Sequence, residues 1–482
     1  MNSQQNLDRV PKTKIVCTLG PATESEEKIE ELILAGMNIA RLNFSHGDLE
    51  AHATAFKRVR KTSAKLNIPV GIMIDVPGPK YRTGPTVPGV LDVKDGDDIT
   101  LTSTDMIGDS HIISVTPSGI HRDATVGRPI LLDDGLLEFV VTEIEGEDVK
   151  CRIIVGGRIT ERRGVATPGK APSQPFPDEK AEEALKFAGD MKADFVALST
   201  VTKADDVTRA RDLLSEYHAD GYIISKIERA EALDNLDSII EVSDSIMVAR
   251  GDMGVEVPLS RVPIIQKDLI TRCNLAGKPV ITATQMLESM IRSAIPTRAE
   301  VTDVANAIFD GTDAIMLSGE TSVGQHPIAA VKVMAQTALE AEKALPYESL
   351  LLEKGRQTEG ASVADAISYD AVRTAYQIEA DLIVIFTEAG GSAGHVSKYR
   401  PKTKILALTA NEEVQRRLTL RWGVVVSIPV TDVENVEDFF AAGSWYSKQV
   451  AGLSEGDTVV LVAGVPIGIS GSTNLLRVMT IT

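Results

Sequence analysis

Cysteine is scarce in this chain: three in 482 residues, at Cys17, Cys151 and Cys273. They stand too far apart for a disulfide framework or a metal-binding pair, so a reducing compartment fits and each thiol reads as a small core residue. Positive charge is also short. Fifty Lys and Arg face 68 Asp and Glu, a formal net charge of −18, which argues against general binding to nucleic acid or anionic membrane. An anionic substrate would need a local positive pocket. No apolar run reaches membrane-spanning length, and the polar start MNSQQNLDRVPKTK lacks a secretory apolar stretch. The expectation is a soluble, cytoplasmic protein.

What is present is length and rhythm. A chain of 482 residues can hold two to four domains whose cores need no staples. Within 223–254, two apolar runs each close on a charged pair two residues apart, Lys226 with Glu228 and Arg250 with Asp252. Residues i and i+2 of a strand share a face, so each run reads as a buried strand presenting two charges at its C-terminal end. The intervening AEALDNLDSII has helical spacing, which makes a strand–helix–strand unit with its charges at one edge. Parallel barrels build active sites at that edge. Glu228 and Asp252 are hard oxygen ligands that could share one Mg²⁺, with Mn²⁺ as a substitute, while substrate oxygens complete the shell. Lys226 beside them would put a point charge on a phosphoryl group or an enolate. Taken alone, the two pairs read equally as salt bridges.

The rest of the chain decides. Strand-like runs at 13–20, 37–44 and 69–75 alternate with helical segments; the rhythm resumes at 193–199, 221–228, 245–252, 278–285 and 312–320. Three strands plus five make eight, the number that closes a parallel barrel. Between them, 76–177 is rich in turn signals and short β-like runs (DDITLTS, RPILLDD, LLEFVVTEIEG, DVKCRIIVGG), which predicts a small all-β domain without a convincing helix. The proline-rich TPGKAPSQPFPDEK would be its exit hinge. Past a polar stretch near 346–361, one helix and four strands with helices between predict an open α/β sheet. The expected organisation is therefore a (β/α)8 barrel from 1–75 and 178–345, an inserted β-barrel lid over 76–177, and a C-terminal open-sheet α/β domain over 346–482. At the barrel strands' C-terminal ends stand Arg41, Asn43, Ser45, Asp75, Lys226, Glu228, Arg250, Asp252, Thr284, Ser318 and Glu320. Chance would scatter them over both ends, so a site is favoured over isolated salt bridges.

KTKIVCTLGPAT, MNIARLNFSHG, GPKYRTG, KIE, MVARGDMGVEVP, GKPVITATQMLESMI and PTRAEVTDVANAIFDGTDAIMLSGET together resemble the pyruvate kinase family, over essentially the whole chain. The resemblance implies transfer of the phosphoryl group of phosphoenolpyruvate to ADP, giving pyruvate and ATP in glycolysis, by an allosteric homotetramer. It places Mg²⁺ on Glu228 and Asp252, the substrate carboxylate on N–H groups of Ala249, Arg250, Gly251 and Asp252, and Lys226 against the phosphoryl group. Arg41 and Arg82 would grip phosphates, with Asn43, His46 and Arg163 toward the nucleotide. Thr284 would stand beside the water that protonates the enolate, with Ser318 and Glu320 in the relay or only supporting the rim. Asp133 and Asp134 read equally as a turn or a catalytic pair. The lid would close over the nucleotide and exclude water.

Departures from the family pattern carry further expectations. Many members use K⁺ on residues matching Asn43, Ser45, Asp75 and the Val76 carbonyl, and carry Glu where this chain has Lys80 in Gly78-Pro79-Lys80-Tyr81-Arg82-Thr83-Gly84. The resemblance to Lys-bearing members implies an internal cation and no K⁺ requirement. Ser199-Thr200-Val201-Thr202 replaces S-F-V-R, Ala166 stands where G-V-N is usual, and the exit hinge also differs, so the substrate edge is altered. In the last domain, Thr387, Gly390, Gly391 and Ser392 match the effector loop in part; AGVPIGISG lacks the arginine for a second phosphate, which implies a monophosphate effector or none. Two other classes share the platform: a Mg²⁺–enolate lyase and a non-catalytic sugar-phosphate sensor. Nucleotide-dependent pyruvate release separates both from the kinase.

Overall fold

The structure, a computed structural model, describes residues 7–482 except 88, 170–172, 174–175, 357–361 and 470. The amino end, much of the expected exit hinge, the end of the polar stretch and Ser470 of the AGVPIGISG loop lie outside the described residues.

Eight parallel strands close a barrel: β1 (Lys14–Thr18), β2 (Ile39–Asn43), β3 (Gly71–Val76), β4 (Phe195–Leu198), β5 (Tyr222–Ile227), β6 (Ser245–Ala249), β7 (Val280–Ala283) and β8 (Ala314–Leu317). Each pairs with the next in sequence, and β8 returns to β1 with Lys14 opposite Ala314. Strands covered on both faces can be apolar throughout, and GIMIDV and SIMVA are buried at every position. Helices pack outside them. Their starts are set locally: Ser25 accepts the Lys28 N–H at the helix Glu26–Ala35, and Thr297 with Glu300 forms a capping box at Arg298–Asp310. The barrel interior is filled by Val16, Ile39, Met73, Phe195, Met247 and Met316, among others, and Leu420 of the C-terminal domain packs into the same cluster. It is a core, not a pore.

Between β3 and β4, seven strands form a second closed barrel around Phe139, Ile113 and Val149, beside a two-stranded sheet that pairs Val90–Val93 with Gly157–Thr160. One helical turn, Ile120–Asp123, interrupts an insert read as wholly β. The polar stretch after the barrel is a helix over Tyr347–Arg356, which buries Leu351. The C-terminal sheet has β9 (Leu382–Thr387), β10 (Ile405–Thr409), β11 (Val424–Pro429), β12 (Thr458–Gly464) and β13 (Thr473–Thr480) in the order 11-10-9-12-13. It gains an antiparallel edge strand, β13, beyond the four expected. Buried ion pairs join it to the barrel: Arg400 to Asp313 at 2.7 Å and Arg416 to Asp194 at 2.8 Å. Among the described residues no helix is long and apolar enough to cross a membrane.

Candidate active site

Asp75, in the last turn of pleat of β3, is 1% exposed and takes two cations at once. Arg41 Nε lies 2.7 Å from Oδ2, and Lys226 Nζ 3.2 Å from Oδ1. Burial pushes the Asp75 carboxyl up, but Arg41 and Lys226 outweigh it and hold it below its ordinary value. Lys226 Nζ also donates to Ser199 Oγ at 2.7 Å and pairs with Glu228 Oε1 at 2.8 Å. Burial lowers the lysine's pKa; Asp75 and Glu228 overcome this, so the ammonium is held above its ordinary range. A buried, permanently charged lysine stands at the barrel mouth. Arg41 is fixed from its other side by Thr18 Oγ1 at 2.8 Å.

Glu228 follows β5 directly. Its Oε2 accepts the Thr200 N–H at 3.0 Å, and Oε1 pairs with Lys226. Burial raises its pKa, Lys226 opposes, and Asp252 adds to the rise. Asp252 is not on a strand. β6 ends at Ala249 and Arg250–Glu256 is helical, so Arg250 and Asp252 do not share a strand face as expected. The Gly251 N–H, turned at the helix start, donates to Thr284 Oγ1 at 2.8 Å. Arg250 turns away from Asp252 to Asp303 (2.7 Å) and the Thr284 carbonyl (2.7 Å), and so supports the rim. Asp252 Oδ1 instead meets Lys80 Nζ of the insert at 2.7 Å. Burial raises the Asp252 pKa, but Lys80 and Lys226 bring it below the ordinary value.

Thr284 and Gln285, just past β7, have φ of 67° and 53°. Two successive non-glycine residues in the left-handed region store strain, and Arg250 holds both their carbonyls. Thr284 Oγ1 donates to the Ala283 carbonyl at 2.6 Å while receiving Gly251. Glu320 is fully buried and accepts the N–H groups of Leu287 and Ser318 at 3.0 and 2.7 Å, tying two rim loops together. Ser318 Oγ, also buried, has no hydrogen-bond partner among the described residues.

The monovalent-cation group comes together only in part. Asn43 Oδ1 accepts the Ser45 N–H, and the Val76 carbonyl accepts the Ser199 N–H in the β3–β4 ladder. Lys80 lies on Asp252 rather than on Asp75. Of the nucleotide-side residues, Arg82 donates to the Arg162 carbonyl, and Arg163 pairs with Asp133 at 3.2 Å. His46 is held below its ordinary pKa by burial and then by the positive charges of Arg82, Lys180 and Arg41. Ser199 and Thr200, expected only as part of an altered substrate edge, bridge Lys226 to Asp75 and cradle Glu228 directly after β4.

A cleft of about 690 Å³ between insert and barrel is lined by Lys80, Asp134, Thr200, Glu228, Arg229 and Asp252 among others. Two hard carboxylates from neighbouring strand ends face it, and among the described residues Glu228 Oε1 has no partner but the Lys226 ammonium. Among the described residues no group of three or more His, Cys, Asp or Glu could hold a metal ion. The donor set fits a Mg²⁺ or Mn²⁺ that takes its other ligands from substrate and water. In the C-terminal domain, Thr387 Oγ1 accepts the Gly390 N–H and Ser392 Oγ bonds Thr473 Oγ1, beside a smaller pocket shared with Gly464 and Gly468.

Comparison with known proteins gives a family for this geometry. Residues 10–331 match the family model "Pyruvate kinase, barrel domain", and residues 365–479 match "Pyruvate kinase, alpha/beta domain". The chain is 43% identical over 473 residues to a pyruvate kinase of Bacillus licheniformis and over 474 residues to that of Geobacillus stearothermophilus. Each alignment covers 98% of this chain and 80% of the relative. A solved pyruvate kinase from Cryptosporidium parvum superposes with a TM-score of 0.92 at 37% identity, covering 100% of this chain and 98% of the other.

Proposed function

This chain belongs to the pyruvate kinase family, and on that premise we propose that it transfers the phosphoryl group of phosphoenolpyruvate to ADP without needing K⁺. The observation that carries the reading is Lys226, buried and charged between Asp75, Ser199 and Glu228 at the barrel mouth. Phosphoryl transfer asks the protein for position and positive charge rather than covalent chemistry. Lys226 neutralises charge on the phosphoryl group in flight, and Arg41, aimed by Asp75 and Thr18, grips its oxygens. Glu228 and Asp252 hold Mg²⁺, which supplies Lewis-acid charge to substrate oxygens when bound. The backbone from Ala249 to Asp252 receives the carboxylate. Thr284, whose hydroxyl is held by Ala283 and Gly251, borders the carbon that is protonated.

Lys80 supports independence from K⁺. Burial lowers its pKa, yet Asp252 first and then Glu228 and Asp134 outweigh this, so a fixed ammonium stands at the cleft. Arg82, Arg163 and His46 face the nucleotide, and the insert acts as its lid. We further propose a cytoplasmic, glycolytic homotetramer with at most a phosphorylated effector at Thr387, Gly390, Gly391 and Ser392. The exposed apolar Leu259, Ile264 and Ile295 favour a subunit contact on the barrel; sedimentation of the purified chain as a monomer would remove the tetramer. The deciding assay is pyruvate formation from phosphoenolpyruvate, ADP and Mg²⁺, in K⁺ and in a bulky organic cation. Equal turnover is expected. Turnover only in K⁺ removes the Lys80 role, and no ADP-dependent pyruvate in either removes the kinase.

A further inference from the structure

A second cleft, about 720 Å³, separates the barrel floor from the C-terminal domain, lined by Tyr222, Lys278, Asp365, His395, Lys398 and Arg421 among others. It gathers cations in a chain whose net charge is −18. The acids bordering it are already committed. Asp244 Oδ2 accepts Arg211 at 2.9 Å and the Ile223 N–H at 2.8 Å, while Asp365 Oδ1 accepts Lys398 at 3.0 Å and faces His395 at 3.4 Å. Lys278 Nζ donates to the carbonyls of Glu241 and Ser243, at 3.1 and 2.5 Å. Arg421 reaches the Gly277 carbonyl at 3.2 Å and the Tyr222 hydroxyl at 3.0 Å. Neither cation has a carboxylate partner among the described residues.

Cations drawn partly out of water without an anion cost free energy, and the fold keeps them there. Burial lowers the Lys278 pKa, Asp244 opposes, and Arg211 and Arg421 lower it further. The arrangement is also built. A Cβ on Gly394 would lie 3.1 Å from the Arg421 guanidinium carbon, so the glycine lets that group lie against the helix Gly391–Lys398. We propose that this cleft binds the phosphate group of a small metabolite, held by Lys278 from the barrel and by Arg421 and Lys398 from the C-terminal domain. The cleft shares only Gly391 with the pocket at Thr387 and Ser392, so it is a separate site. Lys278 lies two residues before β7, which leads to Thr284, so a bound anion would stiffen the junction beneath the catalytic rim.

Hydrogen exchange on the full chain with inorganic phosphate, against chloride at equal ionic strength, tests this. Saturable protection of 276–280 and 391–398 is expected. Lys278→Gln and Arg421→Met should each weaken it roughly tenfold or more, the loss of a charge-assisted contact. Thr387→Val should leave it unchanged. Arg421→Met also disturbs packing at Gly394, so Lys278→Gln carries the decision. Wild-type protection in Lys278→Gln overturns the proposal, as does protection lost only in Thr387→Val or none that saturates.

Discussion

At the scale of single residues, the site depends on how many charges can share one small volume. Asp75 is satisfied twice, so removing Lys226 leaves it with Arg41, and Glu228 keeps the Thr200 N–H. Lys226→Met should therefore fold while losing phosphoryl transfer by roughly 10³-fold or more, the scale on which a single cation at a transferring phosphoryl group acts. Circular dichroism and ADP-dependent turnover check both halves; wild-type turnover would refute the role. Lys80 argues differently, because it is held by Asp252 from another domain at 2.7 Å. Lys80→Glu sets a carboxylate beside that carboxylate and creates a demand for an external cation. Activity should then fall by roughly tenfold or more when K⁺ is withdrawn, since one unbalanced charge pair near 4 Å exceeds 1.4 kcal/mol at a protein surface. A variant equally active in both salts would discard the internal-cation account.

At the scale of elements, the loops that follow strands hold the groups that strands only deliver. Gly78 is the tightest case: a Cβ there would lie 2.0 Å from Thr200 Oγ1, and the Thr200 N–H positions Glu228. Gly78→Ala must displace Thr200. Turnover should drop about 10²-fold, the cost of a misplacement near 1 Å, while the melting temperature changes little; unchanged kinetics would show that Thr200 does not position Glu228. The same scale explains what the sequence disclosed. The eight barrel strands were legible because each is an apolar run bounded by turn residues, and their charged ends drew attention to Lys226, Glu228 and Asp252. The turn of Arg250 toward Asp303 was not legible, because alternation cannot show that the strand gives way to a helix at Arg250 itself. Three-residue strands such as Tyr81–Thr83 and Gly164–Ala166 are too short for a periodic signal. The edge strand β13 was missed for a related reason: its burial is incomplete, so it lacks the apolar run that marked its neighbours.

At the scale of the whole molecule, the barrel and the C-terminal domain are joined through polar groups that neither buries alone. Lys14, on the first barrel strand, is 2% exposed, and its ammonium donates to the Val424 carbonyl at 2.5 Å. No carboxylate forms an ion pair with it among the described residues. Burial lowers its pKa from the ordinary 10.5 to about 8, with Glu342 opposing. A lysine whose folded pKa is depressed binds fewer protons in the native state than in the unfolded chain between those two values. Stability therefore rises with pH across about 8 to 10.5, and the full penalty is present below 8. Lys14→Met removes the titrating group but keeps an unbranched side chain that fills the same space. Urea midpoints at pH 7 and pH 10 should show the wild type gaining on the variant as pH rises, with a ceiling of about 3 kcal/mol at 1.36 kcal/mol per pH unit. Lys12, also lowered to about 8, titrates in both proteins and cancels from the difference. Parallel pH dependence in the two chains would mean that Lys14 keeps an ordinary, hydrated ammonium in the fold, and that the junction is not where alkaline stability is set.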